Sequence, residues 1–442
     1  VRATFVAVAV AVVLADSSIV TLGLPDVVRD FDTSVADVAW VLISFNLVLA
    51  LAALPAGALV RRRGVGLAWR GGLALFAVAS LVCALAPDLG VLVAARCLQA
   101  LAGAAVVAAA LELLLADLTA RRAVAVWGAA GILGAAIGPA LGGALTELLS
   151  WEAIFAVQVP VVALALAGRR VAPAARRPFL RAPPPLWTLA ALALISAALT
   201  AALFLLVVML IEGWRLSPAQ AAGVVSIMPV AAALTAPLGR RIGGARLRAA
   251  VGAIAVAGGL GPLGLLPGAH VGWTIAPQVL IGFGLGLTLS ALTEVALRGP
   301  GAVAPRAAWT IAARHAGVVL GLALLTPLFT ADLDEQEVAA QRAGSALLLD
   351  ARLAPSLKIG LGERLVDRVA RSEGRLPDLD PAFRGLDVDA DERAPLRRLR
   401  VRLTEEVKRA ATQAFSRSFL AGAGLALLAL LPLLASVVGR RA

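Results

Sequence analysis

The chain is poor in the residues on which most site chemistry depends. Its 442 residues include two cysteines, two histidines and two lysines. The lysines are Lys358 and Lys408, and neither stands in a GxxxxGK[ST] run, so no P-loop is present. That excludes nucleotide-driven transport; any transport would run on an ion gradient or on none. His270 and His315 form no Cys/His cluster, which argues against zinc, and neither a metal nor another cofactor is expected. Cys83 and Cys97 both lie in apolar runs and read as packing residues rather than a disulfide. Charged residues make up only 15% of the chain. Residue 1 is Val with no cleavable signal pattern after it, so the start reads as processed, truncated or non-standard.

What is abundant is apolar surface: 60% of residues are hydrophobic and the mean hydropathy is +0.90. Such a chain is a polytopic membrane protein. Twelve apolar runs reach helix length, at roughly 3–24, 35–59, 71–86, 91–116, 124–146, 153–168, 187–212, 218–239, 249–267, 273–297, 308–330 and 416–438. With both termini cytoplasmic, the short inner segments carry twenty arginines against one acid, Asp117, while the short outer segments hold only Arg29 and Arg215. The basic excess therefore reports topology by the positive-inside rule, and nucleic acid is not expected as a partner. Tryptophan agrees: Trp40, Trp151, Trp214 and Trp273 fall at outer span ends and Trp69, Trp127, Trp187 and Trp309 at inner ends, as an aromatic belt would place them.

The expected organisation is a six-span half at 1–168, an Arg- and Pro-rich cytoplasmic linker at 169–186, and a second half at 187–442. The halves match at an offset of about 182 residues: Pro55 and Gly57 with Pro237 and Gly239, Glu112 with Glu294, and Trp127 with Trp309. Between the last two spans, about 332–414, lies a nearly neutral polar segment with 15 basic and 16 acidic residues, placed outside by this topology. Leu396, Leu399, Leu403, Val407, Ala410 and Ala414 form one helical stripe there, and Leu357, Leu361, Leu365, Val366 and Val369 suggest another, with a turn at Pro377 and Pro381. The segment reads as an outer helical cap.

The fifth span, WGAAGILGAAIGPALGG from Trp127 to Gly143, spaces Gly128, Gly131, Gly134, Gly138, Gly142 and Gly143 at three- and four-residue intervals. On a helix this leaves one face almost bare, so that another backbone can come close in lipid. Pro139 frees a carbonyl that neighbours must satisfy.

Twelve spans in two halves, with this glycine run, resemble the major facilitator superfamily and in particular its drug:proton antiporter branch. ADSSIVTLGLP (15–25) resembles the branch's first-helix motif, with Asp16 at the acidic position. ARCLQALAGAA (95–105) resembles its fourth-helix motif, with Arg96 and Gln99 in place, WEAIFAVQVP (151–160) resembles the opening of helix six, and IAARHAGVVLG (311–321) resembles helix eleven, with Arg314. In the fifth helix, Gly138-Pro139 with Gly142-Gly143 matches the antiporter motif. The chain departs from the family at GALVRRRG (57–64), the inner-loop motif of Gly57, Arg61, Arg62 and Gly64, where Arg61 replaces an Asp, and at Glu152, which replaces an Arg. The extra central span pair common in the branch is absent, and the outer insertion is additional.

The resemblance implies an all-α fold of two pseudo-symmetric six-helix bundles with a cavity lined by spans one, four, seven and ten. It also implies proton-coupled export of small lipophilic or amphipathic molecules across the cytoplasmic membrane, and no enzyme activity. Bottom-up, Asp16 is a carboxyl near the middle of the first span, where desolvation favours proton uptake and a structural hydrogen bond is the alternative. Arg96, roughly 9 Å deep by helical rise, either stabilises the charged Asp16 or snorkels outward. Glu112 and Glu294, each about a turn from an inner end, read as a gate facing arginines, as ligands for a cation or proton, or as interfacial acids. Arg314 calls for an acid or backbone carbonyls as partner, and His315 reads as a titrating or a packed neutral imidazole. Gly282, Gly284 and Gly286 allow bending or close approach. Two other functions fit the same sequence: export of a membrane lipid or envelope component, and a non-transporting sensor whose cap binds a ligand.

Overall fold

The computed structural model describes residues 2–167, 184–298, 303–370, 378–386, 388–389 and 391–438; the expected linker at 169–186 falls largely outside them, as do Pro377, Arg440 and Arg441. The described residues are almost entirely helical, and eleven of their helices are long and apolar enough to cross a membrane. They are α1 (Ala3–Thr21), α2 (Val35–Arg63), α3 (Val65–Ala84), α4 (Leu89–Asp117), α5 (Ala120–Leu148), then α7 (Leu186–Gly213), α8 (Pro218–Pro237), α9 (Ala245–Gly264), α10 (Gly272–Leu297) and α11 (Val303–Asp350), and a last stretch, Arg393–Ala435. Between α5 and α7 the sixth expected span is the shorter apolar helix α6 (Ala153–Leu166). Past α11 come a cap helix α12 (Pro355–Ala370), then α13 (Arg393–Ala414) and α14 (Ser416–Leu428).

The pairing of helices repeats with a six-span shift. In the first set α1 lies against α5, and α4 against α2 and α3; in the second α7 lies against α11, and α10 against α8 and α9. The sets meet through α2 against α11 and α5 against α8, again related by the same shift. This is the two-bundle, pseudo-symmetric architecture.

Local sequence explains the element ends. Ser34 and Asp88 cap α2 and α4 by accepting the N–H groups of Asp37 and Val91. Gly64 is the sole residue between α2 and α3, and its φ of +95° lets the chain reverse there without a Cβ clash. Pro55, Pro139, Pro277 and Pro327 all sit inside spans. The glycines of α10 serve close approach: a Cβ on Gly282, Gly284 or Gly286 would run into the carbonyls of Met228, Gly252 or Ala232.

Two expectations need correction. Only Trp40, Trp187 and Trp273 are exposed, whereas Trp69, Trp127, Trp151 and Trp214 are buried in the protein. The reason is that an indole N–H buried among helices needs an acceptor, and three of them find one: Val107 O at 3.3 Å for Trp127, Asp30 at 2.6 Å for Trp151 and Thr412 at 2.9 Å for Trp214. In the cap, Val366 faces outward at 70% exposure although it continues the α12 stripe. The small cap core is built instead from Leu353, Leu361, Leu379, Ala382, Leu396, Leu399 and Leu403, with Leu357, Leu365 and Val407 against it. The cap is thus folded, and α11 enters it as one unbroken helix of 48 residues.

Candidate functional site: a buried ion pair and the seam beside it

Asp16 and Arg96 form a salt bridge in which neither side chain has any exposed surface. Of the two arrangements expected of Arg96, it is turned to Asp16 and does not snorkel outward, since an unpaired charge at this depth would cost far more than a paired one. Five helices of the first set supply the shell. Gln158 of α6 donates to the second Asp16 oxygen at 2.8 Å, and Arg96 donates to Gln99 Oε1 at 2.6 Å and to the Val41 carbonyl at 3.2 Å. Gln99 in turn donates to Ser80 Oγ at 2.9 Å and Gln158 Oε1 at 3.0 Å. The guanidinium lies 4.1 Å above the Phe45 ring and 5.7 Å from that of Phe155. One Arg96 nitrogen, Nη2, finds no acceptor. Gln158 and Ser80 were not singled out in the sequence; a lone amide inside an apolar run is the signal that could have found Gln158.

Next to Asp16, Ser17 donates to Asn46 Oδ1 at 3.2 Å, and the same oxygen meets His315 Nδ1 at 2.6 Å. The Asn46 amide donates to Leu42 O at 2.8 Å, so Oδ1 can only accept and His315 Nδ1 carries the proton. This bond joins α2 to α11 across the seam between the two sets. Arg314, the neighbouring residue, is half-buried and makes no hydrogen bond or ion pair among the described residues.

The glycine face of α5 meets α1 backbone to backbone. A Cβ on Gly134 or Gly142 would strike the carbonyls of Ala11 or Ile19, one on Gly138 would strike Ser18, and one on Gly131 would strike Leu14. Gly143 faces the other way, with Pro218 O of α8 at 2.6 Å from a would-be Cβ. Glu147 accepts the Ala219 N–H at 3.0 Å, and Arg29 comes within 3.8 Å of Glu212. The cap end of the seam is closed by these contacts. Pro139 is buried on the same helix.

At the opposite end, Glu294 accepts from Arg248 at 2.7 Å and also pairs with Arg298. Both partners belong to its own set, so Glu294 ties α9 to α10 rather than one bundle to the other. Glu112 and Arg61 lie close enough to act on each other electrostatically. Arg62 is exposed, and Gly57 approaches Ala308 of α11, with 4.0 Å between a would-be Cβ and the alanine methyl. Glu112 and Trp127 line a cavity with Gly57, Ala307 and Ile311; its roughly 20 Å³ hold about one water, too little for an organic molecule.

The Major Facilitator Superfamily profile matches residues 6–357. The chain belongs to the Major Facilitator Superfamily. It is therefore a multi-pass membrane protein of a transporter family. It is 36% identical over 177 residues to the multidrug efflux pump LfrA of Mycolicibacterium smegmatis, a match covering 39% of this chain and 35% of that protein. It is 36% identical over 155 residues to the multidrug resistance protein Stp of Mycobacterium tuberculosis, covering 34% and 29%. A third relative, the tetracenomycin C resistance and export protein of Streptomyces glaucescens, is 37% identical over 166 residues, covering 36% and 30%. The chain spans about a third of the length of these curated relatives. Over 98% of this chain and 97% of the other, the fold resembles that of a bacterial homolog of the human lysosomal transporter Spinster, in an inward-facing, unoccupied conformation. The TM-score is 0.66 and the identity 14%, so the likeness concerns the fold alone.

Proposed function

We propose that the chain is a proton-coupled exporter of small lipophilic or amphipathic molecules, working by alternating access across the cytoplasmic membrane. Both termini would be cytoplasmic and the insertion at 332–414 outside. The buried Asp16–Arg96 pair carries this reading. An ion pair sealed in hydrocarbon is held only while both members are charged, so a proton delivered to Asp16 removes the attraction and leaves Arg96 to find another acceptor. The glycine contacts of α5 are made with α1, the helix that carries Asp16, so movement of α1 would change them together with the pair. The carboxyl has no exposure in this conformation, so proton entry requires movement of the first-set helices packed around it. Similarity to efflux and resistance proteins supports outward transport of apolar cargo. A proteoliposome assay with an imposed pH gradient, comparing lipophilic dyes with labelled lipids, tests the reading. Dye movement driven by the gradient in wild type and lost in Asp16→Asn is the expected result; gradient-independent dye movement, or none in wild type, overturns it.

A further inference from the structure

Three formal charges stand at mid-depth among the described residues: Asp16, Arg96 and Arg314. The first two cancel. Arg314 is left with no hydrogen bond, ion pair or ring contact among those residues. Its depth follows from its neighbour, because His315 reaches Asn46 near the middle of α2. Its direction follows from the helix. Ala316, Leu320 and Leu324 form the outward stripe of α11, with Leu320 44% and Leu324 43% exposed. At 3.6 residues per turn Arg314 lies roughly 120° around from the centre of that stripe. His315 turns to α2 on one side of it, while Gly317 and Gly321 lie against Ala193 and Ala197 of α7 on the other. Arg314 therefore points between α2 and α7, into the seam between the two sets and away from lipid. A guanidinium stays protonated and has five donors, and His315 offers no negative charge in either protonation state. A cation so placed lacks a counter-ion among the described residues.

We propose that Arg314 is the docking point for an oxyanion carried on an apolar body, so that the cargo passing through the seam includes amphipathic acids. The proposal rests on the reading of the chain as an exporter, and extends it to a class of cargo. A carboxylate would pair with the guanidinium in a two-pronged contact, and the surrounding Ala, Leu and Val side chains would take the apolar part.

The test uses the purified full chain in uncharged detergent, titrated with dansyl-labelled undecanoic acid and with its methyl ester. Wild type should bind the acid roughly ten- to a hundredfold more tightly than the ester, the range of a charge-assisted pair. Arg314→Gln should remove that difference and leave ester binding unchanged, and Arg314→Lys should keep part of it. Without acid, Arg314→Gln should melt at a higher temperature than wild type, since it discards an uncompensated charge. Equal binding of acid and ester by wild type, an unchanged ratio in Arg314→Gln, or a lower melting temperature in that variant would each overturn the proposal. Repeating the titration in phosphatidylcholine discs with and without phosphatidylglycerol separates two sources of the oxyanion. Displacement of the acid by phosphatidylglycerol, lost in Arg314→Gln, assigns the site to a lipid headgroup; no displacement assigns it to a soluble acid. If wild type does not distinguish acid from ester yet exports a neutral dye on a pH gradient, the anion site falls and the exporter reading stands. If the acid binds through Arg314 but no dye is exported, the reverse holds.

Discussion

His315 Nδ1 lies 2.6 Å from Asn46 Oδ1, and that oxygen also accepts from Ser17, the residue after Asp16. This amide oxygen thus connects α11 to α2 and to the helix that carries the buried carboxyl. Any opening of the seam that separates α2 from α11 must break this bond, while Asn46 can keep its contact with Ser17. Asn46 is thus shared between the seam and the helix that carries the Asp16–Arg96 pair.

Asp16→Asn should destabilise the protein as well as uncouple it, because Arg96 keeps its charge and loses its counter-ion. Breaking one side of a buried pair costs about 3–5 kcal/mol. The double variant Asp16→Asn with Arg96→Gln should regain most of the stability and none of the gradient-driven transport. Thermal melting in detergent and transport in proteoliposomes, run side by side, check both halves of this statement.

Gly142→Ala should weaken the contact of α5 with α1, because the added methyl meets the Ile19 carbonyl, a backbone atom that cannot swing aside. Overpacking of this kind costs about 1–3 kcal/mol. Gly128 on the same helix has nothing within 4 Å of a would-be Cβ, so Gly128→Ala should be neutral or stabilise by about 0.5–1 kcal/mol. Equal melting temperatures for the two variants would show that the glycine face is not a contact surface.

The two acids at the end opposite the cap should behave differently. Glu294→Gln leaves Arg248, only 5% exposed, without its carboxylate partner and should cost about 1–3 kcal/mol. For Arg61 and Glu112, the charge-reversal pair Arg61→Asp with Glu112→Arg should recover activity lost in each single variant, as coupled neighbours do. A double variant no better than the worse single one would separate the two residues.

Leu361 is fully buried in the cap core, so Leu361→Ala should cost about 2–5 kcal/mol locally. Hydrogen exchange should quicken in 355–370 and 393–409 while the spans keep their protection. Unchanged exchange there would mean that Leu361 does not hold the cap together.

Asp26, in the short stretch between α1 and α2, has its carboxyl pushed above the ordinary 3.8 mainly by burial, with Arg29 at 2.7 Å opposing the shift. A native acid with a raised pKa binds its proton more readily than the unfolded chain does. Its ionisation therefore removes stability as pH rises from the ordinary carboxylate value through the raised one. Asp26→Asn should match wild type in melting temperature below that window and exceed it above. The reverse order in a pH series of melting curves would contradict the sign.

How much of this was legible in sequence differs by kind of information. The spans were readable because the length of an apolar run is local and fixed by membrane thickness. The stripe of α13 was readable because helix periodicity is local too, although Val366 shows that a stripe does not say how far its neighbours reach. The fifth-helix glycines announced close approach, but not that Gly134, Gly138 and Gly142 meet α1 while Gly143 meets α8.

Amino-acid order alone determined that this is an all-helical membrane protein of two related halves, because burial of the backbone in lipid leaves a chain of such runs few other folds. Only the tertiary structure decided which polar groups meet. Asp16 finds Arg96 across 80 residues and Gln158 across 142, while Arg314 finds no partner at all among the described residues. Such pairings depend on how each helix is rotated against its neighbours. That rotation is set by the sum of many side-chain contacts between helices, and no spacing along the chain records it.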